Sequence, residues 1–127
     1  MPRKHKSTAQ PLTPLELEIM SVLWETGPAN VQTVQQRLER RALAYTTVQT
    51  MLNVLHRKGK VKRRLKNRAY FYEPVLSRQK AMAQAVADML NRFFAGSADR
   101  LVLNLVETRR LTPEKLAEIQ RLVEQRI

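Results

Sequence analysis

The sequence predicts a mainly α-helical fold carrying one small β-hairpin, on three observations. Six stretches of the 127-residue chain repeat apolar side chains at helical spacing. Two strand-like runs, residues 61–65 and 69–73, lie side by side in the middle. Only three glycines occur, too few for a sheet-rich fold built on many tight turns.

The elements follow in order. Residues 1–11 are basic, polar and without periodicity, which reads as a flexible arm. Thr13-Pro14-Leu15-Glu16 opens the first helix, with Thr13 as N-cap, Pro14 at the first helical position and Glu16 completing a capping box. Leu17, Met20 and Trp24, with Ile19 and Leu23 beside them, give that helix its core stripe, and Gly27-Pro28 ends it. Asn30 caps a second helix, lined by Val31, Val34 and Leu38 and running to about Arg40. Tyr45-Thr46 opens a third, which ends near Lys58-Gly59 and buries Val48, Met51, Leu52 and Leu55. With Val48 set at zero and about 100° per residue, Thr46, Thr50, Asn53 and Arg57 fall at roughly 140° to 200°, opposite the core. Thr47 and Gln49 flank that acid-free face. In the hairpin, Lys66-Asn67-Arg68 forms the connection, because Asn67 tolerates a left-handed turn position. Phe71 is expected to pack the hairpin on the helices, and the tip to meet phosphate.

Pro74 and Val75-Leu76-Ser77 mark the junction to a C-terminal part of three helices. Met82, Val86, Met89, Leu90 and Phe93 line the first, which Gly96-Ser97 breaks. Leu101, Leu105 and Val106 line the second, and Thr112-Pro113 opens the third, lined by Leu116, Ile119, Val123 and Ile127. Three helices in about 50 residues cannot bury such stripes alone. Pairing with a second copy meets the need, and Met89, Leu90, Phe93, Leu101, Leu105, Leu116, Ile119 and Val123 are the expected dimer contacts.

Charge narrows the function. Lys and Arg number 23 against 11 Asp and Glu, a net of +12. Residues 57–68 alone hold eight cations and no acid. The expected partner is a polyanion, nucleic acid before an acidic membrane surface. There is no cysteine, so disulfides, thiol nucleophiles and thiolate metal sites are excluded. His5 and His56 are far apart, so no histidine-built metal site is expected, and no cofactor. No histidine stands in a catalytic constellation and no glycine-rich phosphate loop occurs, so no enzyme is expected. No apolar run is long enough to span a membrane, and no apolar segment follows the basic N-terminus as in a secretory signal, so the expected compartment is the cytoplasm.

Three helices followed by a basic hairpin is the order of a winged helix-turn-helix, in which the third helix enters the major groove of double-stranded DNA. The predicted organisation is an arm at 1–11, a winged helix over 12–74 and a helical dimerisation domain over 75–127. A nonspecific architectural DNA binder and a small-molecule-sensing winged-helix regulator share these features.

The resemblance to a known family is more specific. LTPLELEIMSVLW (12–24) resembles the opening of the penicillinase-repressor family, the BlaI, MecI and CopY type. AYTTVQTMLNVLHRKG (44–59) is similar to its recognition-helix signature, and RAYFYEPVLS (68–77) to its second wing strand and linker. The resemblance implies a cytoplasmic transcriptional repressor that binds operator dyads of the TACA/TGTA type as a homodimer. It implies Thr46, Thr47 and Thr50 at the groove and Arg57, Lys62, Arg64 and Arg68 on phosphates, with Asn53 and Lys66 adjoining them on the faces already described. In the β-lactam-responsive members a membrane sensor peptidase triggers cleavage at an Asn-Phe bond in the dimerisation domain. LVLNLVE (101–107) is similar to that segment but carries Asn104-Leu105 instead, so Leu105 reads equally as dimer core. The copper-responsive branch carries a cysteine cluster, which this chain lacks.

Overall fold

A computed structural model describes residues 11–127 of the chain; the basic arm expected at 1–11 lies outside them but for Pro11. The elements are α1 (Pro14–Thr26), α2 (Val31–Arg37), a 3-10 turn (Glu39–Arg41), α3 (Tyr45–Arg57), β1 (Val61–Lys66), β2 (Ala69–Pro74), α4 (Arg78–Phe93), α5 (Ala98–Glu107) and α6 (Pro113–Arg126). Their order is that of a winged helix-turn-helix followed by a helical segment, mainly α with one hairpin. The chain divides into two compact units, Met1–Ala85 and Val86–Ile127.

In the first unit the capping box of α1 is complete. Thr13 Oγ1 accepts from the Glu16 amide at 3.2 Å, and Glu16 Oε1 accepts from the Thr13 amide at 2.9 Å. The buried stripe of α1 is rotated from the expected one. Ile19, Met20, Val22 and Leu23 are buried, whereas Leu17 is 46% exposed and Trp24 is half-buried. Glu16 takes the inward place, at 2% exposure, because its carboxylate is held at both oxygens. Helix α2 is shorter than expected and passes into the 3-10 turn, which closes with Ala42 in the left-handed region (φ 51°).

Val31 and Val34 of α2, Val48, Leu52 and Leu55 of α3, Val61 of β1 and Tyr72 of β2 complete the core with Ala29, Leu76 and Ala81. Each large apolar side chain so buried contributes about 1.5–3 kcal/mol before entropic costs. The hairpin pairs antiparallel from Val61↔Pro74 to Lys66↔Ala69. Ala29 bridges to the other side of β2, exchanging backbone hydrogen bonds with Tyr72 at 3.0 and 2.8 Å. The core continues past Pro74. Trp24 Nε1 donates to the Leu76 carbonyl at 2.9 Å, and the Lys60 carbonyl accepts from the amides of Val75 and Leu76. The unit therefore extends through the first two turns of α4, beyond the boundary expected after residue 74.

The second unit contains no buried residue. Ser97 and Thr112 cap α5 and α6, accepting from the amides of Arg100 and Lys115 at 3.2 Å. Met89, Leu90, Leu101, Leu105 and Leu116 are only half-buried, and Phe93 is 73% exposed. Ile119, Leu122 and Val123 lie open along α6, and Ile127 lies open just beyond its end.

Candidate nucleic-acid interface

The surface on which the sequence places DNA contacts is built from α3 and the hairpin. Val48, Leu52 and Leu55 seat α3 in the core. That leaves Thr46, Thr47, Gln49, Thr50 and Arg57 exposed, as the helical wheel requires. The first turn of α3 contains no acid and its last contains Arg57, so no carboxylate on this face repels a phosphate.

Asn53 departs from its expected outward role. Its Oδ1 accepts from Arg63 Nη1 at 3.1 Å and from the Tyr72 hydroxyl at 3.0 Å. It ties α3 to the hairpin and its acceptor is already occupied. Tyr72 rather than Phe71 packs the hairpin on the helices, since Tyr72 is 2% exposed and Phe71 only half-buried. Strand alternation explains the exchange: residues two apart share a face, and Tyr72 shares Val61's side of the sheet.

The same alternation sorts the cations. Lys62, Arg64 and Lys66 share the face away from the core, with Phe71 and Glu73 opposite them. Glu73 lies 3.9 Å from Lys62 and 3.8 Å from Arg64, so one carboxylate partly offsets two cations. Lys66 belongs to β1 rather than to the turn, and its ammonium stands 5.9 Å from the Phe71 ring centre. The turn is Asn67-Arg68, both at positive φ (51° and 68°), the signature of a type I′ hairpin. Arg68 is exposed there, at the tip. On the core-side face Arg63 stacks 4.2 Å above the Tyr70 ring.

A hollow of about 240 Å³ that no local sequence signal marks lies beside these residues. Tyr45 and Gln49 of α3, Asn30 and Gln32 near the start of α2, and Arg68 and Tyr70 of the hairpin line it. Tyr45 and Gln49 are one helical turn apart, a spacing that places them side by side.

Behind this surface lies a charged cluster. Lys58 Nζ donates to Glu16 Oε2 at 2.8 Å. Burial pushes the Glu16 carboxyl up, but the hydrogen bonds from Lys58 and Thr13 outweigh it and hold the group below 4.5. Lys60 is 1% exposed, and burial lowers its ammonium below 10.5 against the opposing pull of Glu16. Among the described residues no group of acids and histidines could hold a metal ion, and no helix is long and apolar enough to cross a membrane.

Residues 12–125 match the family model described as penicillinase repressor. The chain belongs to the penicillinase repressor family. It is 30% identical over 111 residues to the penicillinase repressor of Bacillus licheniformis, covering 87% of each chain. It is 38% identical over 96 residues to the transcriptional regulator BlaI of Mycobacterium tuberculosis, covering 73% of this chain and 70% of that one. A solved structure of the transcriptional regulator Tm0710 from Thermotoga maritima matches with a TM-score of 0.53 over 89% of this chain and 72% of that one; at 18% identity it speaks for the fold alone. The penicillinase repressor family consists of transcriptional repressors, not enzymes.

Proposed function

We propose that the protein is a homodimeric, sequence-specific repressor that occupies operator dyads in the cytoplasm. The carrying observation is the pairing of an acid-free, hydroxyl-bearing face on α3 with a hairpin that presents Lys62, Arg64, Lys66 and Arg68. Thr46, Thr47 and Thr50 approach base edges in the major groove, and Arg57 with the hairpin cations grips phosphates. Two protomers engage two half-sites, and the second contact gains from high effective concentration.

The second unit supplies the pairing. Its half-buried and exposed apolar residues, Met89, Leu90, Phe93, Leu101, Leu105, Leu116, Ile119 and Val123, gain a core when a partner covers them. Loss of that pairing releases the operator without touching a groove contact. Cleavage at Asn104-Leu105 by a sensor peptidase or a protease downstream of it is one route. The bond lies inside α5, and the Asn104 carbonyl accepts from the Thr108 amide at 2.9 Å. A protease that needs extended backbone reaches it only after α5 opens locally.

The test is fluorescence anisotropy with a TACA/TGTA dyad and a scrambled duplex across a salt series. A preference of about a thousandfold with steep salt slopes is expected. Thr50→Ala is expected to erode that preference while leaving scrambled-duplex affinity in place. Equal binding of the two duplexes by the unmodified protein, with no preferred site after selection from random DNA, leaves a general DNA binder instead.

A further inference from the structure

On the first unit, away from α3 and the hairpin, a cavity of about 280 Å³ opens between α1 and the start of α4. Leu12, Leu17, Ala81, Met82 and Ala85 give it apolar walls, and Trp24, Ser21 and Arg78 supply its aromatic and polar groups. The Trp24 indole is oriented by the hydrogen bond from its N–H to the Leu76 carbonyl at 2.9 Å. The Arg78 guanidinium stands 5.4 Å from the Trp24 ring centre. No carboxylate lines the cavity, and none among the described residues pairs with Arg78. Three of the wall residues are uncovered at the rim, Leu17 at 46% and Met82 at 58% exposure together with Ala85.

We propose that this cavity binds a small monocyclic aromatic carboxylate. The ring of such a ligand lies against Trp24 and the apolar walls, its carboxylate accepts from the Arg78 guanidinium, and the Ser21 hydroxyl is within the same wall to donate a further hydrogen bond. The volume sets the size class. Cavities for drug-sized ligands begin at about 300 Å³, so this one takes a single ring with a short acid and no more. The absence of acids and the free guanidinium set the charge. A neutral ligand would leave the guanidinium without a carboxylate, and a cationic one would face it directly. This assignment does not rest on the repressor reading, and its readout needs no DNA.

Trp24 is the only tryptophan of the chain, so its emission reports this site alone. The full-length protein is titrated with benzoate and phenylacetate, and with the neutral amides of the same two acids. Saturable quenching by the acids is expected with dissociation constants of about 0.1–1 mM, the range open to a ligand of roughly ten heavy atoms. The amides are expected to bind at least about tenfold more weakly, for want of a charge-assisted hydrogen bond. Arg78→Gln, at an exposed position, is expected to fold by circular dichroism and to erase the difference between acid and amide. Ala85→Phe, which fills the cavity, is expected to abolish quenching by both.

Acid and amide binding alike, or an Arg78→Gln protein that keeps the preference, overturns the proposal. So does an emission that fails to respond to either acid. Quenching by the acids that weakens as protein concentration rises also overturns it, because a second copy then competes for the cavity. A response that appears only after removal of residues 1–10 assigns the cavity to that segment and overturns the proposal as well.

Discussion

Glu16 shows how one side chain serves two purposes. Its Oε1 closes the capping box of α1, and its Oε2 receives Lys58 from the end of α3. Glu16→Gln cannot do both, because one amide atom would then point a donor at a donor. The expected cost is about 2–4 kcal/mol, measured by urea denaturation. The carboxyl titrates below its unfolded value of 4.5 in the folded chain. Its contribution is therefore complete above that value and is lost as the pH falls through the depressed folded value, and the Gln variant is expected to lose this acid dependence. Arg68 makes the opposite trade. Its left-handed backbone (φ 68°) costs about 1–2 kcal/mol that glycine would not incur. Arg68→Gly is expected to raise stability by about 1 kcal/mol. It is also expected to lower the logarithmic salt slope of DNA binding by about one unit, and anisotropy at several salt concentrations checks both the slope and the affinity.

Among the elements, the hairpin and α3 act as one body because Asn53 joins them. Asn53→Ala strips the buried Tyr72 hydroxyl and Arg63 of their shared acceptor. The expected cost is about 1–3 kcal/mol of stability with operator preference retained, read by denaturation and by competition between duplexes. A fall in preference with stability unchanged would return Asn53 to the groove. The periodicity of the sequence foretold the helices here well, since capping signals such as Thr13-Pro14 and Thr112-Pro113 and apolar spacing are local properties. It foretold the exposed threonines of α3 for the same reason. It missed Asn53, Tyr72 and the inward Glu16, because each is settled by a partner distant in sequence: Tyr72 for Asn53, Asn53 and Ala29 for Tyr72, Lys58 for Glu16. A helical wheel marks Asn53 as polar and therefore outward, and no local rule says that a tyrosine nineteen residues later will reach its oxygen. The limit of the first unit was hidden likewise, since Pro74 breaks the strand while Leu76 and Ala81 still belong to the core.

In the whole molecule, burial is shared unequally. All the buried core lies in the first unit, and none of it in Val86–Ile127. Ile119, 40% exposed on α6, is the position at which a charge tests the pairing. Ile119→Asp is expected to sediment as a monomer and to weaken operator binding by at least about a hundredfold while leaving half-site affinity near its original value. A dimer that survives the change places α6 outside the interface.

The unequal burial also orders events in time. Trp24, Tyr72, Leu76 and Ala81 all enter the growing chain before α6, so every residue of the buried core is made ahead of the last helix. Translation at about 5–20 residues per second puts a few seconds between the synthesis of Ala81 and that of the end of α6. During that interval the first unit has all the residues of its core while the second is still unfinished. On the homodimer proposed above, two copies made on one messenger are the pair most readily joined.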